Sequence, residues 1–225
     1  MVSPIGEILP LAVGVAISPM PMIAVILMLF SKRAKLNSMA FLFGWVVGLV
    51  AVCWAVLSIA GTQDFSPGGT PSTASSVIRL LLGGLLVFAA ARQWKSRPKP
   101  GEQATMPMWM RTLDSFTPGK TLGLALLLSG LNPKNLSLTL AAALDVAQAS
   151  LGGFENAVML GVFIIIGSIT VAGPVAAFLV MGEKAAKVLD GWKVWLTQNN
   201  ATVMFVLLLV IGMVVLGKGI SGVFG

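Results

Sequence analysis

Histidine and tyrosine are absent from the 225 residues, cysteine occurs once, and charge is scarce. Without histidine the chain lacks the commonest metal ligand and general base. The single cysteine, Cys53, sits in an apolar run and can form neither an intrachain disulfide nor a dithiol relay. Charged residues are 10% of the chain and apolar residues 56%, whereas a soluble domain carries about 25% charge. No nucleophile, acid pair or metal set stands out, so neither catalysis nor a cofactor nor a metal is expected. The net charge of +7 would suit nucleic acid, but the basic residues lie in short loops between apolar runs, and nucleic acid is not an expected partner. The first ten residues lack a basic region and a small-residue cleavage site, and read as the start of an apolar span rather than a signal peptide.

What the chain has instead is long apolar runs. A membrane-spanning helix needs about 20 mostly apolar residues. Six stretches qualify: residues 5–30, 40–60, 77–94, 121–144, 157–181 and 201–218. Residues 62–76 are rich in Gly, Pro, Ser and Thr and read as an exposed loop. Residues 97–118 form a linker in which 108–116, with Trp109 and Phe116, suits a short interfacial helix.

The charges orient these spans. Lys32, Arg33 and Lys35 fill the first loop; Arg92, Lys95, Arg97, Lys99, Arg111 and Lys120 flank the third connection; Lys184, Lys187 and Lys193 fill the fifth. The second and fourth connections carry Asp64, Asp145 and Glu155, and no basic residue except Arg79 at a helix start. Basic loops stay cytoplasmic. The expected placement is therefore the plasma membrane, multi-pass, with both termini outside and a cytoplasmic linker. Trp94, Trp109, Trp192 and Trp195 fall at the basic boundaries, where interfacial aromatics belong.

Three spans per half would insert the halves in opposite senses. Residues 1–96 form the first three-helix repeat and 119–225 the inverted second repeat. Span one breaks at Ser18-Pro19-Met20-Pro21 and span four at Asn132-Pro133-Lys134-Asn135. Spans two and five open with Phe41-Leu42-Phe43-Gly44 and Val158-Met159-Leu160-Gly161. The expected fold is an all-α membrane protein of six transmembrane helices in two inverted repeats, with helices 1 and 4 broken at prolines. Interrupted helices in corresponding positions of two halves are the best sequence pointer to a transport site; a plain kink at Pro19 and Pro21 is the simpler alternative.

Lys134 falls near the centre of span four, where a lysine costs about 2.5–3.5 kcal/mol on insertion scales. It needs a partner, and no carboxylate lies deep in any span. Glu7 and Asp145, near the outer ends of spans one and four, are within imagined reach as ion-pair or proton partners. Otherwise Lys134 serves carbonyls freed at the breaks, an anionic substrate group, or a structural lock between broken helices. Asn132, Pro133, Asn135, Ser18, Pro19 and Pro21 complete the expected substrate site. Ser129, Ser137 and Thr139 are polar neighbours, though such hydroxyls mostly bond their own backbone. Gly44 and Gly48, and Gly167 with Gly173-Pro174, read as helix-packing positions.

The stretch LNPKNLSLTLAAA, residues 131–143, resembles the signature of the glycopeptidolipid-addressing (GAP, or Sap) family of actinobacterial membrane proteins, within the wider lysine-exporter superfamily. Residues 17–21, 32–35 and 40–48 extend the resemblance. It implies a six-helix transporter-like fold and a role in moving envelope glycolipids or peptidoglycolipids toward the surface, beside a larger lipid exporter. The metal-exporting and thiol-redox branches of the superfamily need histidine or acid clusters, or paired cysteines, and do not fit this chain.

Three functions follow. The first is a transporter, or an export accessory, for a polar-headed envelope lipid. The second is a proton-driven exporter of small solutes such as amino acids, which ordinarily uses an intramembrane carboxylate. The third is a non-transporting scaffold for a lipid-export complex, which needs no interrupted helices. Expected partners are membrane lipid, a larger lipid exporter and, left open, further copies of the chain as a homo-oligomer.

Overall fold

A computed structural model describes residues 4–60, 73–98, 102, 116–149 and 151–224. The described secondary structure is all helical: α1 (Pro4–Ala16), α2 (Pro19–Leu29), α3 (Ala34–Ala60), α4 (Thr73–Lys95), α5 (Pro118–Leu126), α6 (Pro133–Gln148), α7 (Gly153–Met181) and α8 (Glu183–Phe224), with a π-helical turn, Leu127–Leu131, after α5. The expected interfacial helix at 108–116 and most of the 62–76 loop lie outside the described residues.

Among the described residues, α3, α4, α7 and α8 are each long and apolar enough to cross a membrane. The α1–α2 pair, bent by 49°, makes a fifth crossing if counted as one span. The chain is a multi-pass membrane protein. Span four is interrupted at Asn132-Pro133, where the sequence places its break. It is cut into α5, the π turn and α6, each shorter than a membrane span.

Both breaks are built as helix starts rather than as kinks. Ser18 is extended (φ −120°, ψ 93°) and caps α2, with Pro19 in the first helical position. Asn132 (φ −64°, ψ 123°) caps α6, with Pro133 in the same place. Proline is favoured there because its missing N–H would have no partner in the helix. Asn132 Oδ1 accepts from the Lys134 N–H at 3.0 Å, the ordinary work of an N-cap.

Two boundaries differ from the sequence expectation. Span three starts at Thr73, because Thr73 to Ser76 join the helix instead of the loop. Residues 183–200, expected as a basic loop, are helical and continuous with span six, giving a 42-residue α8. Nothing in that stretch breaks a helix: proline is absent, and Lys193 pairs with Asp190 three residues earlier at 2.5 Å.

α4 packs along α8 over the most extensive helix pair of the fold. Small residues allow it: a Cβ on Gly83 would meet the Leu216 backbone N at 2.7 Å, and one on Gly219 the Leu80 backbone N at 2.9 Å. Backbone cannot swing aside as a side chain can. Gly83→Ala should therefore destabilise by about 1–3 kcal/mol, the usual cost of overpacking. Its neighbour Gly84 has nothing within 4 Å of a built Cβ, so Gly84→Ala should be neutral in the same detergent unfolding measurement. Equal effects at the two positions would refute close α4–α8 packing. Gly44 and Gly48 act as expected, their built Cβ atoms meeting the Leu122 O at 2.8 Å and Ser129 Oγ at 2.0 Å. Gly173 does not: it faces open space.

Candidate functional site

The two breaks meet. Lys134 Nζ donates to the Ile17 carbonyl at 3.0 Å and to Ser18 Oγ at 2.5 Å. Ser18 Oγ also lies 2.6 Å from the Val15 carbonyl, to which it donates, and 3.1 Å from Asn135 Oδ1. Asn135 Nδ2 donates to the Leu128 carbonyl at 2.8 Å, inside the π turn. From α7, Thr170 donates its hydroxyl to the Ala16 carbonyl. The chemistry explains the set. Ending α1 at Ala16 leaves carbonyls without intrahelical donors, and at membrane depth water is not there to serve them. Ser18 and Thr170 serve the Val15 and Ala16 carbonyls of α1, Lys134 serves the Ile17 carbonyl in the break, and Asn135 serves one in the π turn. All of Ser18, Lys134 and Asn135 are buried.

This satisfies the breaks without satisfying Lys134. A lysine head can form three hydrogen bonds; Lys134 makes two within the protein, both to neutral oxygens. No carboxylate pairs with it among the described residues. The expected pairing with Glu7 or Asp145 is therefore not formed. Asp145 lies eleven residues along α6 from Lys134, about 16 Å of helix at 1.5 Å per residue. It pairs instead with Arg79 at 2.7 Å and Lys218 at 2.7 Å, while Glu7 takes Lys218 at 3.1 Å.

A cavity of about 240 Å³ opens beside Lys134. Ser18, Pro19, Pro21, Asn132, Pro133 and Asn135 line it, so every residue expected at the substrate site reaches it. Its other wall comes from α4 and α8, through Ala89, Gln93, Asn200 and Met204. Sequence reasoning missed Gln93 and Asn200. Each is a polar residue near the basic end of a span, and that position reads equally well as an ordinary interface. Asn200 Oδ1 is buried with no hydrogen-bond partner in the described structure. Ser129 behaves as a local hydroxyl, donating to the Ala125 carbonyl at 2.9 Å. No group of three or more potential metal ligands occurs among the described residues.

The second polar cluster is the larger omission. Arg79, Asp145, Gln148 and Lys218 converge at the opposite end of the bundle, with Arg79 donating to Gln148 Oε1 at 2.6 Å. The signal was present. Arg79 and Lys218 are the basic residues that violate the loop charge asymmetry, and a charge in the wrong place needs a partner.

A family model described as Sap, sulfolipid-1-addressing protein, matches residues 8–221. No curated protein and no solved structure gives a significant match.

Proposed function

Since the chain belongs to the Sap, sulfolipid-1-addressing protein family, we propose that it moves a polar-headed envelope lipid across the plasma membrane toward the cell surface, alone or as the accessory of a larger exporter. The observation that carries the reading is Lys134: a buried lysine with no carboxylate partner in the described structure, lining a cavity between two broken helices. An anionic headgroup would supply the missing countercharge, and the acyl chains would remain in the bilayer. Ser18, Gln93, Asn132, Asn135 and Asn200 would supply neutral polar contacts to that headgroup. Membership of the wider lysine-exporter superfamily is part of the same proposal and rests on Asn132-Pro133-Lys134-Asn135.

The proposal takes α1 with α2 and α5 with α6 as single broken spans, giving six in two inverted repeats with both termini outside. The packing supports this pairing. α1 lies on α7 as α5 lies on α3, α2 lies on α7 as α6 lies on α3, and α2 lies on α8 as α6 lies on α4. Transport then proceeds by alternating movement of the halves about the breaks. A crosslink between span one and span four should abolish lipid appearance at the surface; continued export by the locked protein would rule the mechanism out.

The first test is mass spectrometry of lipids that co-purify with wild type and with Lys134→Ala. Selective retention of one anionic or glycosylated lipid, lost in the variant, is the expected result. The same bulk phospholipids in both would leave Lys134 a structural lock and bring small-solute export, or a scaffold role, to the front.

A further inference from the structure

The cluster of Glu7, Arg79, Asp145 and Lys218 sits where four helices converge: α1, α4, α6 and α8. Arg79 is 5% exposed and Asp145 7%, yet Glu7 and Lys218 remain partly open to the surface. Each proposed repeat contributes one acid and one base, and the Arg79–Asp145 pair joins the two repeats. Lys218 bridges Glu7 to Asp145 and so also ties one repeat to the other.

The helix packing is asymmetric at the same place. α1 packs against α6, while the corresponding halves, α5 and α2, make no comparable contact. α1 and α6 are the halves on the cluster side of the breaks, and α2 and α5 those on the basic side. Inverted repeats built alike but packed differently are closed at one end and parted at the other. The cavity agrees, since its lining runs from the breaks toward the basic end through Gln93 and Asn200.

We propose that the Glu7–Lys218–Asp145–Arg79 cluster is the gate that closes the transport path on the Lys218 face, and that it must part before cargo leaves there. This rests on the alternating-access reading above but is indifferent to the cargo. Four side chains on four helices add ion pairs, which can break and re-form, to the buried apolar side chains of the same end, such as Ile8 and Leu11 on α1 and Ala141 and Ala142 on α6. The gate is a conformational one: nothing in it requires a bound ligand or a covalent step. In the parted state, α2 and α5 would approach each other as α1 and α6 do here.

Thiol accessibility tests it without reference to cargo. In a Cys53→Ala background, Ala89→Cys places one thiol on the cavity wall. A membrane-impermeant maleimide is then added to one face at a time in oriented vesicles. From the basic face the thiol should label readily in every variant. From the Lys218 face it should label slowly in the parent. Lys218→Ala should speed labelling from that face about fivefold, the change equivalent to ~1 kcal/mol of lost ion pairing. Lys218→Arg, which keeps the charge, should restore the slow rate. In Glu7→Cys/Lys218→Cys, crosslinked before the maleimide is added, labelling from that face should fall below the parent. Lys218 is partly exposed, so its removal leaves the buried pair and the fold in place. An unchanged rate in both Lys218→Ala and the crosslinked protein overturns the gate. Gated labelling with no selective lipid retention keeps the gate and removes the lipid reading alone.

Discussion

Asp145→Ala should lower the unfolding free energy in detergent by about 3–5 kcal/mol, the cost of leaving a buried charge without its partner. Asp145 is the shared acceptor of Arg79 and Lys218, each at 2.7 Å. Its loss strands Arg79, whose side chain is almost wholly buried and which, among the described residues, keeps Gln148 as its side-chain acceptor. Lys218 suffers less, because Glu7 remains and the site is partly exposed. Replacing both members of the buried pair, as in Arg79→Met/Asp145→Leu, should stay within ~1 kcal/mol of wild type, since apolar side chains of similar volume remove both desolvation costs together. The contrast is the measurement. A large single loss with a near-neutral double identifies a paired, dehydrated cluster. A single loss below ~1 kcal/mol would mean that water reaches Asp145 and that this end is not closed.

Lys134→Met should separate the two roles of Lys134. Losing its two hydrogen bonds costs about 3–6 kcal/mol, at ~1.5–3 kcal/mol for each bond to a charged group, and removing a lysine from mid-membrane returns about 2.5–3.5 kcal/mol on insertion scales. The second term offsets much of the first, so the net loss of thermal stability in detergent should be small beside the worth of the two bonds alone. Lipid retention should nevertheless fall about tenfold, the worth of one charge-assisted contact of ~1.4 kcal/mol. If Lys134 were only a lock between broken helices, the opposite pattern would appear: a clear drop in stability and an unchanged lipid profile. Methionine is the better substitute than alanine here, because it fills the channel occupied by the lysine stem and leaves no cavity to confuse the reading.

Much of this was legible in the sequence for physical reasons. Apolar length marks a span, and an Asn-Pro or Ser-Pro step inside one marks a break, because proline cannot continue a helix from the preceding turn. Residues 18–21 and 132–135 are therefore identifiable from the sequence, and all of them line the cavity. The helix at 183–200 was not legible. Lysines near a span end read as loop by charge, yet they are good helix formers, and only the absence of Gly and Pro between Glu183 and Lys187 hinted at continuity. The partners of Glu7 and Asp145 were not legible, because side-chain reach along one span does not tell which other helices come near. Arg79 and Lys218, on helices distant in sequence, were closer at hand, and only the three-dimensional meeting of α4 and α8 with α1 and α6 decides that competition. The polar wall given by Gln93 and Asn200 is likewise a tertiary fact.

α4 and α8 run unbroken past both breaks. α4 carries Arg79 near one end and Gln93 near the other; α8 carries Asn200 and Lys218. At 1.5 Å per residue these separations are about 21 Å and 27 Å. The close-packed pair is thus a continuous beam that reaches from one polar cluster to the other, alongside two interrupted helices. On the proposed transport reading, a tilt that spreads one end of this pair from the broken helices would draw the other end in, so the two mouths of the path would be opposed by leverage, with no side-chain relay needed between Lys134 and Asp145.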